Sequence, residues 1–197
     1  MLPLPAVTPS QSPDLPERSF TVICGPSGGG KSRWAEHLAH GSGKPVVYLA
    51  TGPLLPEDPD WQCRLERHRR RRPSGWRCQE VGGELSAAID ALAPDETALI
   101  DSLGTWVSAW LDTSAEHWSR LSGQLVTSLL HCRASVLLVS EEVGWGVVPS
   151  SAQGCLFRQR LVDLVQQLMP HAQGVWLVVA GRAIDLQVLG RPVPPEP

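Results

Sequence analysis

Apolar runs of strand length recur along the chain, and stretches with helical spacing separate them. Residues 20–24, 45–51, 97–101, 135–140 and 174–180 are near-continuous apolar segments, the pattern of strands buried on both faces. Residues 33–40, 60–72, 84–92 and 155–169 read as helices, the second ended by Pro73. A longer helical region over 106–130 breaks near Asp112-Thr113-Ser114, and residues 76–81 fit a short strand. This alternation predicts an α/β fold, a mainly parallel sheet with helices on both faces. Ligands of such sheets sit at the carboxyl ends of the strands. That edge would gather the loop after residue 24, Ala50-Thr51-Gly52, Asp101 and Glu141-Glu142. No internal repeat is visible.

The loop after the first strand reads Gly25-Pro26-Ser27-Gly28-Gly29-Gly30-Lys31-Ser32 and fits G-x-x-x-x-G-K-[ST] without a gap. Glycines let successive N–H groups turn into one concavity that holds phosphate oxygens. The following helix start favours negative charge, Lys31 reaches the terminal phosphates, and the Ser32 hydroxyl suits a Mg²⁺ shell. A chance glycine-rich turn is the competing reading. Strand before and helix after favour a nucleoside triphosphate site.

Composition narrows the setting. The chain has 197 residues, 42% apolar and 19% charged, with a net charge of −3, as expected of one globular domain with no general affinity for nucleic acid. Five cysteines without C-x-x-C spacing argue against zinc ligation or a disulfide framework. No apolar run is long enough to span a bilayer and no signal peptide is evident, so a cytoplasmic setting is expected. Residues 1–18 carry five prolines and read as a flexible leader; 187–197 read as a proline-rich tail, leaving 19–186 as the working domain.

Asp101 closes an apolar strand, where a P-loop protein keeps its magnesium-side carboxylate; Glu141 and Glu142 compete for that role, and each acid also suits a helix cap. Residues 64–72 hold six arginines, among them Arg69, Arg70, Arg71 and Arg72, with His68 in their midst. Such a run is either a solvated face or a set of forks for phosphate oxygens. Flanking guanidinium charge disfavours an imidazolium, and a ring with a free electron pair suits attack on phosphorus. Residues 139–149 run from a strand into a glycine-punctuated loop suited to binding.

Together these stretches resemble the bifunctional adenosylcobinamide kinase and adenosylcobinamide-phosphate guanylyltransferase family of cobalamin synthesis. The phosphate loop with Arg33, Tyr48-Leu49-Ala50-Thr51, the arginine run with Pro73 and Trp76, Asp101-Ser102-Leu103, Glu142 to Pro149 and Trp176 to Gly181 come in the family's order. The resemblance covers about residues 19–186. It implies a RecA-like P-loop fold, homotrimers, GTP, ATP and Mg²⁺ as nucleotides and metal, and a corrinoid substrate. It implies that His68 takes GMP from GTP as a covalent phosphoramidate and passes it to the cobinamide phosphate. Nucleotide contacts are implied from the phosphate loop, Ala50, Thr51, Gly52, the arginines after His68, Glu80 and Asp101, with Ser32 and Asp101 on the metal. The chain departs from the family pattern at Glu141 and over 150–166, which implies an altered kinase half beside an intact guanylyl site. A P-loop kinase without a covalent intermediate, or a nucleotide-binding regulatory protein without turnover, are the alternatives.

Overall fold

The computed structural model describes residues 20–53 and 57–194; the expected leader lies outside them, as do the last three residues of the expected tail. Its strands are β1 (Phe20–Gly25), β2 (Val46–Ala50), β3 (Arg77–Glu80), β4 (Thr97–Asp101), β5 (Ser135–Glu141), β6 (Gly174–Val179) and β7 (Arg182–Asp185). They form one seven-stranded sheet in the order β3-β2-β4-β5-β1-β6-β7. Every pairing is parallel except β6 with β7.

Because successive side chains on a strand point to opposite faces, each inner strand feeds two cores. Val22 of β1, Val47 and Leu49 of β2, Ile100 of β4 and Leu138 of β5 enter one core; their neighbours Ile23, Tyr48, Leu99 and Leu137 enter the other. The first core is closed by α3 (Leu85–Asp90), α4 (Leu103–Ser108), α5 (Ala115–His131) and α6 (Ala152–Leu168), through Leu85, Trp106, Leu125 and Leu161. The second is closed by α1 (Lys31–Gly41) through Ala35, Leu38 and Ala39. Each large aliphatic side chain so buried contributes about 1.5–3 kcal/mol. Helix α2 (Pro59–Arg71) lies on α1's side, where Arg71 grips Glu36 with two hydrogen bonds of 3.1 and 3.3 Å.

Helices cover both faces of a mainly parallel sheet, as the alternation predicts. The break near residue 112 is present: α5 begins after Ser114, whose hydroxyl accepts from His117 N–H at 3.2 Å. Helix α4 begins at Leu103 rather than Trp106 because Ser102 and Thr105 form a reciprocal capping box. Strand β7 and α7 (Leu186–Leu189) have no counterpart in the sequence reading. The hairpin into β7 turns on Ala180 and Gly181, both at positive φ, and Ala180 is not a residue that announces such a turn. Helix α7 straddles the expected domain end at residue 186.

Candidate active site

The carboxyl ends of the parallel strands line one edge, and a cavity of about 640 Å³ opens there. Its walls include Ser27, Gly28, Gly30, Lys31 and Ser32 of the phosphate loop, Ala50 at the end of β2 with Gly52 after it, and Asp101 at the end of β4. His68, Arg71 and Arg72 enter from α2 and its end, and Glu80 from β3.

The loop owes its path to close packing. Gly25 sits at φ 145°, and a Cβ there would overlap the Val178 carbonyl of β6. Helix α1 starts after Gly30 with no side-chain cap and no acid in its first turn, so its first N–H groups remain available to phosphate oxygens. Lys31 is buried, and its Nζ donates to the Pro26 carbonyl at 3.0 Å. Gly25, Pro26 and Gly29 form the back of the loop rather than the cavity wall.

Asp101 is the hub. Its Oδ2 accepts from the Tyr48 hydroxyl at 2.8 Å, and His68 Nδ1 lies 3.4 Å from the same oxygen. The Ser32 side chain also favours the charged form of this carboxylate. Burial opposes its charge, but the hydrogen bond and charge of His68, with the Tyr48 and Ser32 hydrogen bonds, outweigh that and hold the carboxyl below its ordinary range. Burial first, then the Asp101 charge, pushes the Tyr48 phenol far above its usual value. An N–H on Nδ1 directed at Asp101 leaves the Nε2 electron pair as the free one on the ring.

Helix geometry divides the arginine run. Residues three and four apart share a face, and Leu65, His68, Arg71 and Arg72 line the cavity together. Arg69 and Arg70 stand outside it: Arg69 lies 3.5 Å from Glu80, and Arg70 pairs with Glu66 at 2.9 Å on an exposed face. The Arg72 guanidinium carbon lies over the Tyr48 ring, 3.4 Å from its centroid. Thr51 is buried and braces the edge instead of facing the cavity; its hydroxyl donates to the Ser102 carbonyl at 2.6 Å and accepts from Ser102 N–H at 2.9 Å.

Glu141, Gly104 and Tyr48 also line the cavity. Glu141 accepts from the Ser102 hydroxyl at 2.5 Å and from Gly104 N–H at 2.9 Å, which ties β5 to the start of α4. A Cβ on Gly104 would overlap that carboxylate. Of the strand-end acids, Asp101 interacts with Ser32, whereas Glu142 accepts from Gly144 N–H at 2.8 Å. Tyr48 is absent from the sequence-based site, although the only tyrosine of the chain, set in an apolar strand, needs a partner for its hydroxyl.

Ser32 and Asp101 offer a hydroxyl and a carboxylate oxygen. That is a partial shell of the kind Mg²⁺ takes, the remainder being water and substrate phosphate. The donor set therefore fits the metal.

Comparison with known proteins points the same way. The family model described as cobinamide kinase / cobinamide phosphate guanyltransferase matches residues 21–186. The chain is 33% identical over 181 residues to the bifunctional adenosylcobalamin biosynthesis protein CobU of Escherichia coli, covering 84% of this chain and 98% of that one. It is 33% identical over 171 residues to the bifunctional adenosylcobalamin biosynthesis protein CobP of Pseudomonas aeruginosa, covering 84% and 96%. Among solved structures, a Pyrococcus horikoshii protein aligns with a TM-score of 0.53 at 6% identity, covering 86% of each chain. The flagellar accessory protein FlaH of Methanocaldococcus jannaschii aligns at 0.50 and 12%, covering 90% of this chain and 83% of that one. These structural likenesses speak to the fold alone.

Proposed function

The chain belongs to the cobinamide kinase / cobinamide phosphate guanyltransferase family, and from that premise we propose how its site works. It phosphorylates adenosylcobinamide with ATP or GTP, and transfers GMP from GTP to adenosylcobinamide phosphate through a guanylylated His68. The observation that carries the covalent reading is the His68 Nδ1 contact with Asp101, 3.4 Å across the cavity wall.

In the transfer, Asp101 holds the Nδ1 proton while His68 Nε2 attacks the α-phosphorus of GTP. The N–P bond forms as the bond to the pyrophosphate oxygen breaks. The ring becomes cationic, and the adjacent carboxylate stabilises it without taking its proton. Lys31 and the loop N–H groups hold the departing pyrophosphate, with Arg71 and Arg72 beside the nucleotide. A phosphate oxygen of the acceptor then displaces the imidazole and restores the free ring. In the kinase step Lys31 and Ser32 position the γ-phosphate for attack by the corrinoid's side-chain hydroxyl. Ser32 and Asp101 would hold Mg²⁺, which when bound would supply charge neutralisation at the phosphate oxygens.

The chain functions as a cytoplasmic homotrimer in this reading. Support comes from the family resemblance and from exposed Trp145, Val147 and Val148 in the loop between β5 and α6, apolar surface that an assembly would cover. No helix among the described residues is long and apolar enough to cross a membrane.

The test is chemical. Incubation with GTP labelled at the α-phosphate should yield an acid-labile, base-stable adduct in the wild-type chain and none in His68→Asn. An unlabelled wild-type chain that still turns over would make the transfer direct, and a labelled His68→Asn would assign another nucleophile.

A further inference from the structure

Helix α2 carries His68, and Arg71 ties the end of the helix to Glu36. None of its described side chains is fully buried, so the position of the imidazole depends on what its inner face meets. Through Asp101, and through Arg72 just past the helix, that face is linked to Tyr48. The phenol ring is 1% exposed and packed in the second core, so its hydroxyl is fixed by the sheet. Arg72, one residue past α2, lies over the same ring at 3.4 Å.

The hydroxyl then makes a choice for Asp101. A carboxylate rotates readily about its terminal torsion, and one oxygen, Oδ2, both accepts from Tyr48 at 2.8 Å and faces His68 Nδ1 at 3.4 Å. We propose that Tyr48 is a positioning residue for guanylyl transfer: its hydroxyl orients Asp101, and Asp101 orients the His68 ring so that Nε2 faces the cavity. The inference rests on His68 as the nucleophile and adds the group that aims it. Tyr48 is 1% exposed at the cavity wall; it is the post on which both Asp101 and the end of α2 are registered.

Tyr48→Phe isolates the hydroxyl, because the ring, its packing and the Arg72 stack remain. Under single turnover with α-labelled GTP at saturation, the rate of adduct formation should fall about tenfold, the scale of a modest misalignment of a reacting group. The affinity for Mg²⁺–GTP, measured by calorimetry, should stay within about twofold, since the phosphate loop is untouched. Nitrogen NMR of the imidazoles should show His68 as one Nδ1-protonated form in the wild type and a mixture of tautomers in Tyr48→Phe. An unchanged labelling rate overturns the proposal. So does a parallel loss of rate and affinity, which would place Tyr48 in support of the metal side of Asp101. A wild-type chain that never labels refutes the nucleophile itself, and is told apart because the failure appears before any substitution at Tyr48.

Discussion

Single residues carry the sharpest consequences. Lys31→Ala removes a charged donor from the phosphate loop and should weaken GTP binding by about 1.5–3 kcal/mol in calorimetry; unchanged affinity would reduce the loop to a turn. Gly104→Ala places a methyl where the Glu141 carboxylate rests. The carboxylate must swing away and give up its bonds to Ser102 and Gly104 N–H, so the variant should unfold at lower denaturant by about 1–2 kcal/mol. At this scale much of the site was legible. A glycine-rich loop and a carboxylate closing an apolar strand are local patterns, and both line the cavity. The roles of Tyr48, Thr51 and Glu141 were not, because each is defined by a partner at least 39 residues away in the chain.

Elements decide which members of a charged run reach the site. A row of arginines on a helix cannot face one way, and the spacing from His68 selects Arg71 and Arg72 over Arg69 and Arg70. That division was available in the sequence once the helix was placed, since Leu65, His68 and Arg71 repeat every three residues. The joint between α4 and α5 was legible as a break, but not what holds it. Arg160 of α6 is buried, donates to the carbonyls of Trp110 at 2.6 Å and Thr113 at 2.9 Å, and lies 5.1 Å over the Trp118 ring. Arg160→Met fills the space but removes the side-chain donor to the Thr113 carbonyl and one of the two donors to the Trp110 carbonyl, so the unfolding free energy should fall by about 1–3 kcal/mol, read as a lower midpoint with an unchanged denaturant slope. The segment 150–166, where the chain departs from the family pattern, makes up most of this same helix, and Phe157 within it lines the cavity. Phosphorylation of adenosylcobinamide should therefore be slower than guanylylation of its phosphate in one preparation; comparable turnover would mean the departures are neutral.

Across the whole molecule, the sheet order sets the chemistry. Strand β5 lies between β1 and β4, which separates the phosphate loop from Asp101 by one strand and leaves a trough into which α2 lowers His68. Stability follows the same hub. The Asp101 carboxyl is held below its ordinary range in the folded chain, so its ionised form stabilises the fold at neutral pH, and that contribution fades as pH falls through the carboxylate range toward the folded value. Wild-type unfolding free energy should drop between about pH 5 and pH 3 more steeply than that of Asp101→Asn; parallel curves would deny the coupling. The sheet and its helices were legible from alternation because the apolar runs are long. Strand β7 was not, since a four-residue edge strand with an arginine and an aspartate at its ends carries too little apolar signal.

The central claim is that GMP resides on His68 between donor and acceptor, and intact mass spectrometry reads it directly. Protein incubated with GTP and Mg²⁺, then freed of nucleotide, should be heavier by one guanylyl unit mapped to the peptide bearing His68. Addition of adenosylcobinamide phosphate should return the mass to that of the free chain as adenosylcobinamide-GDP forms. Full-rate guanylylation of the acceptor by a chain that never gains mass would contradict the account.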